Sequence, residues 1–214
     1  MFVDILASGS SGNVAAFHAD KLFLIDCGKP FKWIVARLNY KLPDALLVTH
    51  EHCDHTKAVK QFLNRQVDVF LTDGTADKLN LEPQLNLHFI SAWEVFNIGN
   101  VKVTVIPAKH DAAEPVNFIL CDDSDRVLFA TDTGEPPMAS GIFTQIFLEA
   151  NYSVDALLKS DLNPFAQARI FENHLSIEEA EKFVARFPNA KKTPLHISKR
   201  HGDEQDFINR FRRL

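Results

Sequence analysis

The residues best suited to chemistry sit in one heptapeptide, Thr49-His50-Glu51-His52-Cys53-Asp54-His55. Within it His50, His52, Asp54 and His55 supply imidazole and carboxylate groups, good ligands for zinc, manganese or iron. The alternation His-x-His lets two rings reach one ion, while the aspartate and the next histidine turn toward a second. Chance seldom collects such residues directly behind an apolar strand, here Ala45 to Val48. The thiol of Cys53 could also bind metal, but the flanking ligands already set the direction of the loop, so it is read as a bystander.

Short β-branched and aromatic runs must position that loop. Phe2 to Ala7, Val14 to His18, Leu22 to Asp26, Ala45 to Val48, Val69 to Leu71 and Leu87 to Ile90 read as strands. Helices are expected over 30–38, where Phe31, Ile34, Val35 and Leu38 form a stripe after Pro30, over Lys57 to Asn64, and over Gly74 to Leu79. A second set follows. Val95 to Ile98 and Val101 to Pro107 flank the turn Gly99-Asn100, Val116 to Cys121 and Arg126 to Ala130 flank an Asp-rich turn, and Phe147 to Glu149 adds a strand. Ser176-Ile177-Glu178-Glu179 is a capping box opening a helix whose apolar stripe is Ile177, Ala180, Phe183, Val184 and Phe187. Two sets of strands with helices after each predict an α/β fold of two packed sheets covered by helices, in four layers. The 214 residues, 46% hydrophobic and 24% charged, suit a single domain over 1–214 with no linker.

Composition also bounds the setting. No window approaches the length of a membrane span and the N-terminus has no basic signal region, so neither membrane nor secretion is expected. Three cysteines, Cys27, Cys53 and Cys121, are an odd number beside apolar runs, and point to a reducing cytoplasm. The net charge of −5 gives no overall steering toward polyanions, so any nucleic-acid contact must be local. Lys29, Lys32 and Arg37, then Lys191 with Lys192, Lys199 with Arg200, and Arg210, Arg212 and Arg213 are the basic clusters, with solvated faces as the default reading.

The heptapeptide resembles the His-x-His-x-Asp-His motif of the metallo-β-lactamase superfamily, and the resemblance extends along the chain. It implies a four-layer αββα metallo-β-lactamase sandwich. Leu24-Ile25-Asp26-Cys27-Gly28 is similar to the family's first motif, whose aspartate supports the metal loop by hydrogen bonding without being a ligand. Pro107-Ala108-Lys109-His110-Asp111-Ala112 then supplies the next histidine, and Ala130-Thr131-Asp132-Thr133-Gly134 the aspartate bridging two metals. Phe147-Leu148-Glu149-Ala150-Asn151-Tyr152, Asn173-His174-Leu175-Ser176 and Leu195-His196-Ile197-Ser198 resemble elements of tRNase Z-like nucleases. The opening Ser8-Gly9-Ser10-Ser11-Gly12-Asn13, with His110-Asp111-Ala112-Ala113-Glu114-Pro115, is closer still to the WalJ/YycJ-like branch. The resemblance makes His50, His52, Asp54, His55, His110, Asp132 and His196 the metal ligands, with His201 a rival for the last place. It also makes Asp54, Glu149 and His174 catalytic, Glu149 positioning His174 as a proton donor. Capping or hydrogen bonding near its helix is the other reading of His174, while His18 and His88 are ordinary surface or core residues. The tRNase Z exosite arm is missing, and Asp132 to Glu149 leaves no room for a β-CASP insertion.

Two divalent ions, zinc first with manganese or iron also suited to the donors, could share a hydroxide able to attack phosphorus. The expectation is therefore a phosphodiesterase or nuclease acting on DNA or RNA ends, with nucleic acid or a nucleotide as substrate. A cyclic-nucleotide phosphodiesterase or a thioester or lactone hydrolase are the alternatives, and a non-enzymatic metal-binding module is set aside because no ligand is lost. The oligomeric state is open, a homodimer being one option.

Overall fold

Leu22-Phe23-Leu24-Ile25 offers no polar residue to a solvent face, and it forms a strand whose last three side chains are fully buried. A computed structural model describes residues 1–198 and 204–214 of the chain, the side chains of 204–206 aside. The strands make two six-stranded sheets, in hydrogen-bonded order β1 (Phe2–Ala7), β2 (Val14–His18), β3 (Leu22–Ile25), β4 (Ala45–Leu47), β5 (Asp68–Leu71) and β6 (Leu87–Phe89), and β12 (Lys191–Leu195), β11 (Gln145–Glu149), β10 (Arg126–Ala130), β9 (Val116–Cys121), β8 (Val101–Pro107) and β7 (Val95–Ile98). Contacts group the chain into two units, Met1–Val105 with Ala112–Val116, and Ile106–Asp111 with Asn117–Leu214.

The first unit holds β1 (Phe2–Ala7), β2 (Val14–His18), β3 (Leu22–Ile25), α1 (Phe31–Arg37), β4 (Ala45–Leu47), α2 (Cys53–Thr56), α3 (Val59–Leu63), β5 (Asp68–Leu71), α4 (Asp73–Leu79), β6 (Leu87–Phe89) and β7 (Val95–Ile98). Strands β3 to β6 are parallel. Their register aligns Ala16, Leu24, Leu46, Val69 and Leu87 across one face. These residues share a core with Ile34 and Leu38 of the α1 region and with Val59, Phe62 and Leu63 of α3. The helix expected over Lys57 to Asn64 is shorter, Val59–Leu63: Ala58 is outside helical geometry at φ −108°, and its amide donates to the Cys27 carbonyl at 3.1 Å.

Strand β8 (Val101–Pro107) leads into the second unit, with β9 (Val116–Cys121), β10 (Arg126–Ala130), β11 (Gln145–Glu149), α5 (Val154–Leu158), α6 (Pro164–Asn173), α7 (Ile177–Val184), β12 (Lys191–Leu195) and α8 (Glu204–Arg213). Strands β10, β11 and β12 run parallel. Register places Ile119, Leu128, Ile146 and Lys192 in one row. Lys192, only 3% exposed, continues that apolar row with its stem while its ammonium donates to the carbonyls of Pro188 and Ala190. Ser176 accepts the Glu179 amide at 3.2 Å, as its capping box requires, and Ile177, Ala180, Phe183 and Val184 are buried behind it. Helix α6 is an addition to the expected elements. It contributes no buried residue and so has no apolar stripe to reveal it, and Asn163 and Pro164 start it by capping. No helix among the described residues is long and apolar enough to cross a membrane.

Candidate metal centre

Parallel β3 and β4 end side by side in the first unit, and the residues just past those ends carry the polar chemistry. Asp26 follows β3 in the left-handed region at φ 61° and is 1% exposed. Its carboxylate accepts the Thr49 amide at 2.9 Å, the Thr49 hydroxyl at 2.9 Å and the His55 ring at 2.7 Å. A carboxylate only accepts and an amide NH2 only donates, so with Asp26 on Nδ1 and Asn13 on Nε2 the His55 ring carries its proton on Nδ1 and a lone pair on Nε2. That lone pair lies 3.0 Å from Nδ2 of Asn13. His50 Nε2 and His52 Nδ1 are 3.1 Å apart, so at least one of them presents a lone pair to the other.

The end of the heptapeptide, expected as loop, is a helical turn: Cys53–Thr56 form α2, with the His55 and Thr56 amides both donating to the His52 carbonyl. His50 and His55 are buried, and His52 and Asp54 half-buried. A Cβ at Gly28 would lie 1.6 Å from the Asp54 carbonyl oxygen, so only glycine lets the 27–29 segment approach the metal loop this closely. Beside it, the Cys27 thiol is fully buried and its pKa pushed well up by that burial. All three cysteines are free.

The second unit repeats the device at the ends of β10, β11 and β12. Asp132 at φ 42° and His196 at φ 50° are again left-handed and buried. The Thr131 hydroxyl donates to Asp132 Oδ1 at 2.9 Å, and His196 Nδ1 lies 2.8 Å from Asn151 Nδ2. Glu149, fully buried, accepts the Thr133 amide at 2.8 Å, the Leu175 amide at 3.2 Å and Nδ1–H of His174 at 2.7 Å. The His174 ring stacks on His196 with centroids 5.4 Å apart. Ligand atoms of Asp132, Glu149, His174 and His196 all lie within 4.8 Å of one another. His110 donates Nδ1–H to the Asn173 carbonyl at 2.9 Å and places Nε2 3.7 Å from Asp132.

Environment separates two of these histidines. Burial lowers the pKa of His110 and outweighs the attraction of Asp132, which favours the neutral ring. Burial acts in the same direction on His174, but the Glu149 carboxylate and its hydrogen bond overcome it and raise the pKa. Glu149 is lowered in turn: His174 outweighs the desolvation that opposes its charge. The two rings are thus shifted in opposite directions, His110 toward its neutral form and His174 toward its charged form.

Neutral imidazoles and carboxylates with lone pairs directed away from their supporting bonds are the donors that zinc, manganese and iron take, so these residues fit divalent cations. His18 is exposed, and His88 pairs with Asp68 at 2.9 Å and stacks on Phe70. His201 lies outside the described residues. Asn13 and Asn151, which touch His55 and His196, had no role assigned from sequence. Their only signal is an asparagine inside a motif already quoted for its neighbours.

A family model described as the Beta-lactamase superfamily domain matches residues 22–197. The chain belongs to the metallo-β-lactamase superfamily, within its WalJ/YycJ-like branch, and is a metal-dependent hydrolase. It is 30% identical to exodeoxyribonuclease WalJ of Streptococcus pneumoniae over 219 residues, covering 91% of this chain and 81% of that protein. Exodeoxyribonuclease YycJ of Bacillus anthracis is 32% identical over 143 residues, 61% of this chain and 53% of that one. Among solved structures, Zn2+-bound PqqB from Methylobacterium extorquens shares the fold with a TM-score of 0.73 at 12% identity, covering 98% of this chain and 95% of its own.

Proposed function

We propose that the protein is a dinuclear phosphodiesterase that cleaves nucleic acid from its ends, with DNA as substrate. The observation carrying this reading is the Glu149–His174 couple: Nδ1–H of His174 donates at 2.7 Å to a fully buried carboxylate, which raises the histidine's pKa and so favours its protonated form. An alkoxide leaving from a phosphodiester needs such a proton, whereas a thiolate leaving from a thioester needs it far less. Choice of DNA is supported by similarity to proteins named exodeoxyribonucleases.

In this reading His50, His52, Asp54, His55, His110, Asp132 and His196 would supply the donors for two ions, with Asp132 shared by both. Bound ions supply Lewis acidity to the phosphoryl oxygens and lower the pKa of water to about 7. Zinc suits the donors best, with manganese and iron as substitutes. Asp26 fixes the tautomer of His55, Asn173 that of His110, and Glu149 that of His174. His174 then protonates the leaving oxygen, and Asp54 takes up the proton released by the attacking water.

Protein reconstituted with zinc or manganese should release nucleotides from end-labelled DNA in a panel that also holds RNA, cyclic nucleotides, a thioester and a lactone. Turnover of the thioester or lactone with no phosphodiester cleavage under either metal refutes the reading. Cleavage confined to cyclic nucleotides would replace the polymer by a small substrate.

A further inference from the structure

Two stretches beside the metal loop, 27–43 and 55–67, contain seven of the 23 basic residues and none of the 28 acidic ones, in a chain of net charge −5. Lys29, Lys32, Arg37 and Lys41 lie on and around α1, and Lys57, Lys60 and Arg65 on and around α3. None of the seven makes an ion pair with a carboxylate among the described residues. Six are exposed, and Lys29 is half-buried.

The two helices form one surface. Phe31 of α1 packs edge-on against Phe62 of α3 at 5.0 Å, and the Arg65 guanidinium lies 4.1 Å over the Phe31 ring. Arg37 stacks 3.4 Å over Trp33, which Lys29 approaches at 5.8 Å. The surface begins at the metal loop itself: the Cys27 amide donates to the His55 carbonyl at 2.7 Å, and Lys29 donates to the carbonyl and hydroxyl of Ser11.

Like charges gathered without counter-charges repel, and a stabilising role would pair them with carboxylates, which this chain has in excess. We propose that the α1–α3 face binds the phosphate backbone of the DNA strand whose end is cleaved. This inference rests on the nucleic-acid reading above. The seven cations supply local attraction that the net charge does not, and Tyr40, 81% exposed, offers a ring on which a base can stack.

The test compares the holoenzyme with the triple variant Lys32→Gln, Lys60→Gln, Arg65→Gln, and with a control triple, Lys78→Gln, Lys102→Gln, Lys182→Gln, which removes the same charge elsewhere. Binding is read by anisotropy of a labelled phosphorothioate single-stranded DNA that resists cleavage. Each lost phosphate contact reduces the salt slope of binding by about 0.7, so three reduce it by about 2. Raising salt from about 50 to 200 mM should therefore weaken wild type about 20-fold more than the first triple, and weaken the control like wild type. Equal slopes for all three proteins, equal flattening in both triples, or a loss confined to anionic vesicles overturns the assignment. If wild type cleaves DNA while the slopes are equal, only the face assignment falls. If wild type hydrolyses small phosphodiesters but neither binds nor cleaves DNA, the nuclease reading falls first and this inference with it.

Discussion

Replacing Asp26 by asparagine asks how far the metal loop depends on one buried carboxylate. The residue sits at φ 61°, where asparagine is tolerated, while alanine would add about 1–2 kcal/mol of left-handed strain. Asp26→Asn therefore changes the chemistry and leaves the backbone in place. The carboxylate now accepts from the Thr49 amide, the Thr49 hydroxyl and His55 Nδ1. An amide accepts on one side only. If its NH2 faces His55, Nδ1 must become the acceptor and the ring proton moves to Nε2, the atom proposed to hold metal. If it turns the other way, the buried Thr49 amide loses its partner. The first outcome should weaken metal binding about 10–100-fold, or about 1.4–2.7 kcal/mol. The second should cost about 1–3 kcal/mol of stability. Competition against a chromophoric chelator reads the first, and urea unfolding of metal-free protein the second. Wild-type affinity for both ions together with wild-type stability would show that Asp26 does not position His55, and the account of the loop would fail.

The protein should bind two divalent ions per chain, and Asp132→Ala should lower both occupancies and activity in elemental analysis and turnover assays; loss of a single ion would remove Asp132 from the bridging position. His174→Ala should retain its metal and lose about 10²–10⁴-fold in rate, less with a good leaving group, while His196→Ala should lose metal. The opposite pattern would exchange their assignments. Burial lowers the Lys192 pKa below its ordinary 10.5, so the unfolded chain binds this proton more tightly and stability should rise with pH through the window ending near that value. Lys192→Met should flatten that rise in pH-dependent melts, and an unchanged curve would refute it. In native protein exposed Cys53 should react with a thiol reagent and buried Cys27 should not, read by mass of the labelled peptides.

The heptapeptide was legible because its donors are contiguous and follow a strand that announces itself by composition. Strands and the capped α7 were legible for the same local reason. Asn13 and Asn151 were not, since what gives each meaning is a ring brought to it from 42 and 45 residues away. Helix α6 escaped because burial, which writes periodicity into a sequence, is absent from it.

The least legible feature ties the two units to one principle. Asp26 and His196 stand immediately after the last residue of a strand and Asp132 one residue further on, and each adopts positive φ. Nothing in their spelling requires it, since the left-handed conformation costs a non-glycine residue about 1–2 kcal/mol and glycine would avoid the cost. Glycine, however, carries no carboxylate or imidazole. The chain accepts strain where a donor must leave the strand direction at the sheet edge, and surrounding hydrogen bonds hold it there: Leu47 receives the Asp26 amide at 2.8 Å, Thr131 grips Asp132, and Asn151 donates to the His196 carbonyl at 3.0 Å. Substituting glycine at any of the three should therefore relieve backbone strain while removing the chemistry, which separates the structural cost of these positions from their use.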